Sequence, residues 1–286
     1  MKASAPKGFR YWPHRSASQA RRRKRTLNFS WLAAGWTPIA WCLSPAHALE
    51  VPRDHLWTLI HDSCAIAAKH QVYPPSPCTE VVAGPDGSGS YAVFKDHTGR
   101  FQYLVLPLAR ISGIESPVLE AADTPNYVAA AWNARLYVEA ALHQPIPRDA
   151  MSLAINSAYG RTQDQLHIHI DCVRPDVHEV LQRLVPTLSE QWRPLAEPLP
   201  PAKHRYQARW VSGSTLPLDP FKSLAASLPR GDRMAAHSLA VVGAYSPTGE
   251  EGFILLSGRV DEAVGDRGHA EELQDIECAI AFAHSP

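Results

Sequence analysis

The sequence has no C-x-x-C pair, only three methionines, and no aspartate or glutamate over its first 49 residues. Without C-x-x-C spacing, the common thiolate zinc sites are disfavoured. The main apolar stretch, Phe29–Leu43, covers 15 residues, short of the ~20 that span a bilayer comfortably. Extended from Leu27 to Ala48 it reaches 22 residues, enough for an N-terminal anchor. The chain also lacks net charge: 28 Lys and Arg balance 28 Asp and Glu. That balance hides an asymmetry, because nine of the basic residues precede residue 50, leaving 19 against 28 and a net of −9 on the rest. A body of that charge does not neutralise a phosphate backbone, so nucleic acid is not the expected partner. A small basic pocket for one phosphorylated ligand remains compatible with it.

The apolar share of 45% and charged share of 20% belong to a globular chain with room for one or two cores. Ahead of the apolar stretch stands the basic block Arg21–Arg25, and after it Ser44-Pro-Ala46-His-Ala48. Basic block, apolar run and small-x-small site are the three parts of an export signal. Residues 1–49 are therefore expected to be a signal peptide or an N-terminal membrane anchor. Gly35 and Pro38 inside the run disfavour a buried helix. The basic block is expected to stay cytoplasmic and the body to be exported, either anchored by this segment or released by its cleavage.

Four cysteines fall in the body: Cys64, Cys78, Cys172 and Cys278. An even number in an oxidising compartment predicts two disulfides, for which three pairings are open. The short Pro-rich segment Pro74–Pro77 favours Cys64 with Cys78. Cys172 with Cys278 would then tie the C-terminus to the centre.

Patterning predicts a mixed α+β chain. Residues 54–70 carry Leu56, Leu59, Ile60, Cys64 and Ala67 on one helical stripe. Ser90–Lys95 and Phe101–Pro107 flank a turn at Asp96-His-Thr-Gly99 and read as a hairpin. Thr124–Leu142 reads as a helix opened by a Thr-Pro cap. Ser152–Ile155 and Leu166–Val173 read as strands and Asp176–Leu188 as a helix. Pro194–Pro201, with four prolines, marks a linker or extended crossing. Ser90-x-Ala-Val followed by Phe101 to Arg110 resembles Ser238-x-Ala-Val followed by Phe253 to Arg259. This is either a duplicated hairpin or two hairpins of ordinary strand composition.

The chemistry concentrates in Asn156–Cys172. Period two puts Gln165, His167 and His169 on one face of a strand, with Ile168 and Ile170 opposite. The preceding loop offers donors: Asn156, Ser157, Arg161, Thr162 and Gln163. Two imidazoles beside such a loop suit an anionic substrate, with Arg161 as the expected phosphate clamp. A neutral imidazole attacks phosphorus when its other nitrogen donates to a carbonyl. The competing reading is a metal site, with His61, His70 or Asp171 as third ligand. Lys95 and Arg110 are second-rank phosphate candidates.

Asn156…Gly160…Gln165-Leu-His167-Ile-His169-Ile resembles the histidine-triad (HIT) signature, and Leu104-Val-Leu-Pro107 resembles the strand ending in L-V-x-P of that superfamily. With Leu104–Pro117, Thr124-Pro-Asn126, Ser152–Ser157, Gly160–Gln163, His167–Ile170 and Cys172–Val177, residues 50–286 are most similar to the CDP-diacylglycerol pyrophosphatases. The resemblance implies a HIT-like antiparallel sheet flanked by helices, with a catalytic region at 50–200. Residues 201–286 would be an αβ region packed on it, readable as a degenerate second HIT-like half. It further implies cleavage of CDP-diacylglycerol to CMP and phosphatidate at a membrane, without cofactor or metal. His167 would be the nucleophile and His169 would orient the phosphate. Asn156 would contact the nucleotide sugar, with Arg161, Thr162 and Gln163 stabilising developing charge. Gln165 departs from the pattern by standing where the first histidine belongs. Two alternatives stay open: a related hydrolase or nucleotidyltransferase acting on another nucleotide diphosphate ester, and a binding module without turnover.

Overall fold

The computed structural model describes residues 51–282; the signal or anchor expected at 1–49 lies outside them. No helix among the described residues is long and apolar enough to cross a membrane. The chain opens with α1 (His55–Leu59), a π-helical turn at Ile60–Cys64 and α2 (Ala65–Lys69). There follow β1 (Glu80–Val82), β2 (Tyr91–Lys95), β3 (Tyr103–Pro107), α3 (Tyr127–Ala134), α4 (Leu136–Leu142), β4 (Met151–Ile155), β5 (Ile168–Val173) and α5 (Pro175–Leu184). The remainder is β6 (Arg193–Pro194), β7 (Tyr206–Ser212), α6 (Pro220–Ala225), β8 (His237–Tyr245), β9 (Glu251–Arg259), β10 (Gln274–Asp275) and α7 (Ala279–Phe282).

All ten strands form one sheet in the order β1-β2-β3-β5-β4-β8-β9-β7-β6, with β10 continuing along β5. Every pairing is antiparallel. The described part of the expected C-terminal region, 201–282, therefore adds strands to the first half's sheet, through Ser152↔Val242 to Ile155↔Leu239. The two similar hairpins occupy unlike places. β2–β3 lies one strand from an edge, whereas β8–β9 meets β4 in mid-sheet.

Alternation along the central strands sorts the two faces. Val105, Leu153, Ile168, Ile170 and Val241 share the main core with Trp132 of α3 and Leu181 of α5. Trp132 meets Phe253 of β9 edge-on at 4.9 Å, so that core runs beneath both halves. On the opposite face Ala92, Phe94, Leu104 and Leu106 pack under Ile60 and Cys64, with Leu56, Trp57 and Leu59 alongside. The stripe read between 54 and 70 is thus the face that α1 and the π turn bury. The expected helix at Thr124–Leu142 differs in two ways. Its cap is Asn126, which accepts from the Ala129 amide at 3.0 Å, while the Thr124 hydroxyl donates to the Val118 carbonyl. A turn at Arg135 also divides it into α3 and α4.

Cys64 is bonded to Cys78 and Cys172 to Cys278. The second bridge spans 106 residues, and closing a loop of that size removes unfolded-chain entropy worth about 4–5 kcal/mol in the chain-entropy model. The Cys172→Ala/Cys278→Ala variant should accordingly unfold at lower denaturant than the native chain. Chemical denaturation under non-reducing conditions measures this; an unchanged midpoint would show that the bridge adds no stability.

Candidate active site

β5 lies between β3 and β4, and register sets what surrounds its histidines. Leu104 stands opposite His169 on one side and Ala154 on the other, while Phe94 stands opposite Leu104. The strand expected from Leu166 starts at Ile168, so period two puts His169 and Asp171 on one face of β5, while Gln165 and His167 lie in the segment that leads into it. His167 is 8% exposed and His169 5%. Their rings meet edge-on with centroids 4.9 Å apart.

His167 Nδ1 is 2.7 Å from the Gln165 main-chain oxygen. A carbonyl only accepts, so Nδ1 carries the proton and Nε2 keeps its lone pair. Burial pulls both imidazoles well below 6.5, to about 4, and the neighbouring His169 adds to the effect on His167. Each is therefore neutral near pH 7. His169 Nδ1 lies 3.2 Å from Glu271 Oε2 without hydrogen-bond alignment, and both of its ring nitrogens lack a partner. Glu271 also accepts from Asn156 Nδ2, and its amide donates to Asn156 Oδ1 at 3.4 Å.

Gln165 is fully buried. Its Nε2 donates to Pro107 O at 2.8 Å and Ala109 O at 3.0 Å, so this amide holds the end of β3. Asp171 is buried too, with Oδ1 accepting from the Cys172 amide. Desolvation raises its carboxyl to about 8, which keeps it protonated near pH 7.

A cavity of about 810 Å³ opens over this face. His167, His169, Asn156, Arg161, Thr162 and Gln163 all line it, so the structure brings these sequence-selected residues to one place, above the buried Gln165. Their availability differs from expectation. Arg161 is no free phosphate clamp: Nη1 and Nη2 grip Glu115 at 2.6 and 2.8 Å, and Nε donates to Asp164 at 3.1 Å. Gln163 is likewise committed. Its Oε1 accepts from the Leu56 amide at 2.9 Å and its Nε2 donates to Pro52 O at 3.0 Å, which docks α1. Thr162 is exposed. Lys95 donates to Asp96 O and Gly99 O and pins the β2–β3 turn, while Arg110 lies over the Trp57 ring.

Among the cavity residues that pattern reasoning missed are Arg267, His269, Glu271 and His55. The first three sit on the segment between β9 and β10, which has neither strand nor helix periodicity to mark it. A further wall is apolar: Val51, Leu56, Leu59, Phe94 and Leu104.

The suggested third metal ligands do not join the histidines. His61 stacks on Trp57 and pairs with Asp62, neither it nor His70 lines the cavity, and Asp171 approaches Cys172 and Cys278 instead. Those two sulfurs are bonded to each other. The arrangement offers a neutral imidazole with a fixed tautomer, a second imidazole beside it, and a cavity with one polar and one apolar wall.

The family model for CDP-diacylglycerol pyrophosphatase matches residues 51–282, and the chain belongs to that family. It is thereby a hydrolase acting on a pyrophosphate bond.

Because both histidines are depressed, they should stay neutral through pH 6.5 and titrate near 4, where an ordinary imidazole would already be protonated. Between those values the unfolded chain takes up protons that the folded chain refuses, so stability falls as pH drops through this window. Imidazole NMR titration checks the first point; a His167 midpoint near 6.5 would contradict the buried environment. Asp171 has the opposite sign, since its folded value is raised: its cost to stability grows as pH rises from about 4 towards 8. Asp171→Asn, neutral at every pH, should be tolerated at pH 7 and lessen the alkaline loss, as thermal melts across pH would show.

Proposed function

We propose that this member of the CDP-diacylglycerol pyrophosphatase family cleaves its substrate through a cytidylyl-His167 intermediate. The observation that carries the reading is the 2.7 Å bond from His167 Nδ1 to the Gln165 carbonyl, which leaves Nε2 unprotonated on the cavity side. Nε2 attacks the CMP phosphorus in line; the bond from that phosphorus to the bridging oxygen breaks, and phosphatidate departs with the electron pair. Its phosphate oxygen is a weak base and needs no proton from the protein. The new N–P bond makes the ring cationic, and the Gln165 carbonyl, accepting from Nδ1–H, stabilises that charge. Water then attacks phosphorus, its proton leaves to solvent, and CMP is released with neutral His167 restored. His169 is assigned the task of orienting a phosphoryl oxygen, with Glu271 Oε2 3.2 Å from its Nδ1.

Gln165 at the first triad position supports turnover more than its loss. Its amide is occupied in bonding Pro107 and Ala109, so its work is to fix the strand ends that position His167. The apolar wall of Leu56, Leu59, Phe94 and Leu104 favours a lipid-bearing diphosphate over a soluble nucleotide ester. The two disulfides favour an oxidising compartment. With the export signal read at 1–49, they support a periplasmic body at the inner membrane. Antiparallel β4–β5 and β8–β9, meeting at the β4–β8 pair, are consistent with a HIT-like sheet whose second half lacks the histidine strand.

The test is CMP release from CDP-diacylglycerol in detergent with EDTA present, comparing the full chain with His167→Ala. The native protein should release CMP and the variant at least about 1,000-fold less, as expected for loss of a nucleophile. No CMP from the native chain would overturn the proposal, and CMP from both would remove His167 from it. Gln165→Ala should lose activity together with stability, since the buried Pro107 and the adjoining Ala109 lose the donor that ties them to residue 165; a fully active, fully stable variant would contradict its positioning role.

A further inference from the structure

Cleaving a diphosphate concentrates negative charge on transferring oxygens, and an enzyme needs a fixed cation there. Among the described residues three arginines line the cavity: Arg53, Arg161 and Arg267. Two are already neutralised. Arg53 holds Asp164 with Nε and Nη2 at 2.7 and 2.8 Å, and Arg161 holds Glu115 and the same Asp164. Arg267 is exposed, and its side chain makes no hydrogen bond or ion pair among the described residues.

The backbone of Arg267 is nevertheless held firmly against the histidine half. The Ser157 amide donates to Gly268 O at 2.9 Å, and the Ser157 hydroxyl donates to Arg267 O. That same hydroxyl accepts from the Tyr159 and Gly160 amides at 3.1 and 3.0 Å. Asp266 Oδ1 accepts from the Gly268 amide at 2.7 Å and fixes the turn from the other side. The approach is close enough to demand glycine in both segments. A Cβ on Gly160 would stand 2.9 Å from Arg267 O, and one on Gly268, at φ +70°, would stand 2.7 Å from Ser157 Cβ. Ser157 directly follows Asn156, which is bound to Glu271. The segment carrying Arg267 is thus docked against the Ser157–Gly160 loop and carries Glu271 to His169, with Arg267 lining the cavity.

We infer that Arg267 is a catalytic residue of this site. Its guanidinium grips the non-bridging oxygens of the substrate diphosphate, and the C-terminal half thereby completes the active centre. Ser157 is its positioning residue. The inference rests on the histidine-dependent hydrolysis proposed above. Arg161, the cation the sequence points to, instead braces the 161–164 turn against Glu115.

The test uses the full chain in detergent with CDP-diacylglycerol, comparing native protein with Arg267→Ala, Arg267→Lys and His167→Ala. Loss of one charged donor to a transferring phosphoryl group should lower kcat/KM about 100-fold in Arg267→Ala, with lysine intermediate. Added guanidinium ion should restore part of the alanine variant's rate and none of the His167→Ala rate. Thermal midpoints should not move, because the Arg267 side chain makes no hydrogen bond or ion pair among the described residues. An alanine variant within about twofold of native, or one that guanidinium does not rescue, overturns the assignment and leaves the histidine reading standing. A native protein that releases no CMP removes both.

Discussion

A hydrogen bond of 2.7 Å from His167 Nδ1 to the Gln165 carbonyl sets the chemistry available to this fold. It spends the ring's one proton on the main chain two residues before it, so the second nitrogen keeps its lone pair for the attack proposed above. Burial enforces the same state by making the imidazolium costly. The bond depends in turn on how the strand ends are fixed. Gln165 donates to Pro107 and Ala109 across the gap to β3, and the β3–β5 register places Leu104 opposite His169. Gln165 is therefore part of what holds His167 in place.

The sheet is continuous through both halves, and this continuity gives the site its remaining parts. Pairing of β4 with β8 sets the segment after β9 beside the 156–160 loop. Ser157, Gly160 and Gly268 allow the two backbones to meet. Glu271 then reaches Asn156 and His169, and Arg267 reaches the cavity. On the other side, Gln163 docks the first turn of α1. The helix brings an apolar wall with it and is itself stapled by Cys64–Cys78. Polar chemistry and a greasy wall thus face each other across one cavity, as suits a substrate with a nucleotide at one end and acyl chains at the other.

Much of this was readable from local pattern. The His167-x-His169 spacing pointed to the cavity that both imidazoles line, and the β2–β3 hairpin, β4, β5 and α5 followed from alternation and turn residues. Both disulfides agree with the pairing that the short Pro-rich segment favoured. What escaped was set by distant neighbours. Arg161 looks like a clamp until Glu115, 46 positions earlier, arrives to neutralise it. Asn126, not Thr124, caps α3 because the Thr124 hydroxyl finds the Val118 carbonyl first. Arg267 and Glu271 lie more than a hundred residues from the histidine loop they join, on a segment whose local pattern announces nothing.

The most direct measurement of the central claim is identification of the covalent intermediate. The full chain would be mixed briefly with CDP-diacylglycerol, quenched in base, digested, and its histidine peptides analysed by mass spectrometry. A cytidylyl group attached to His167, appearing within the first turnover and decaying with CMP release, is the expected result. Steady CMP release with no adduct on His167 at any time would contradict the account, since water would then be attacking the substrate without the imidazole as nucleophile.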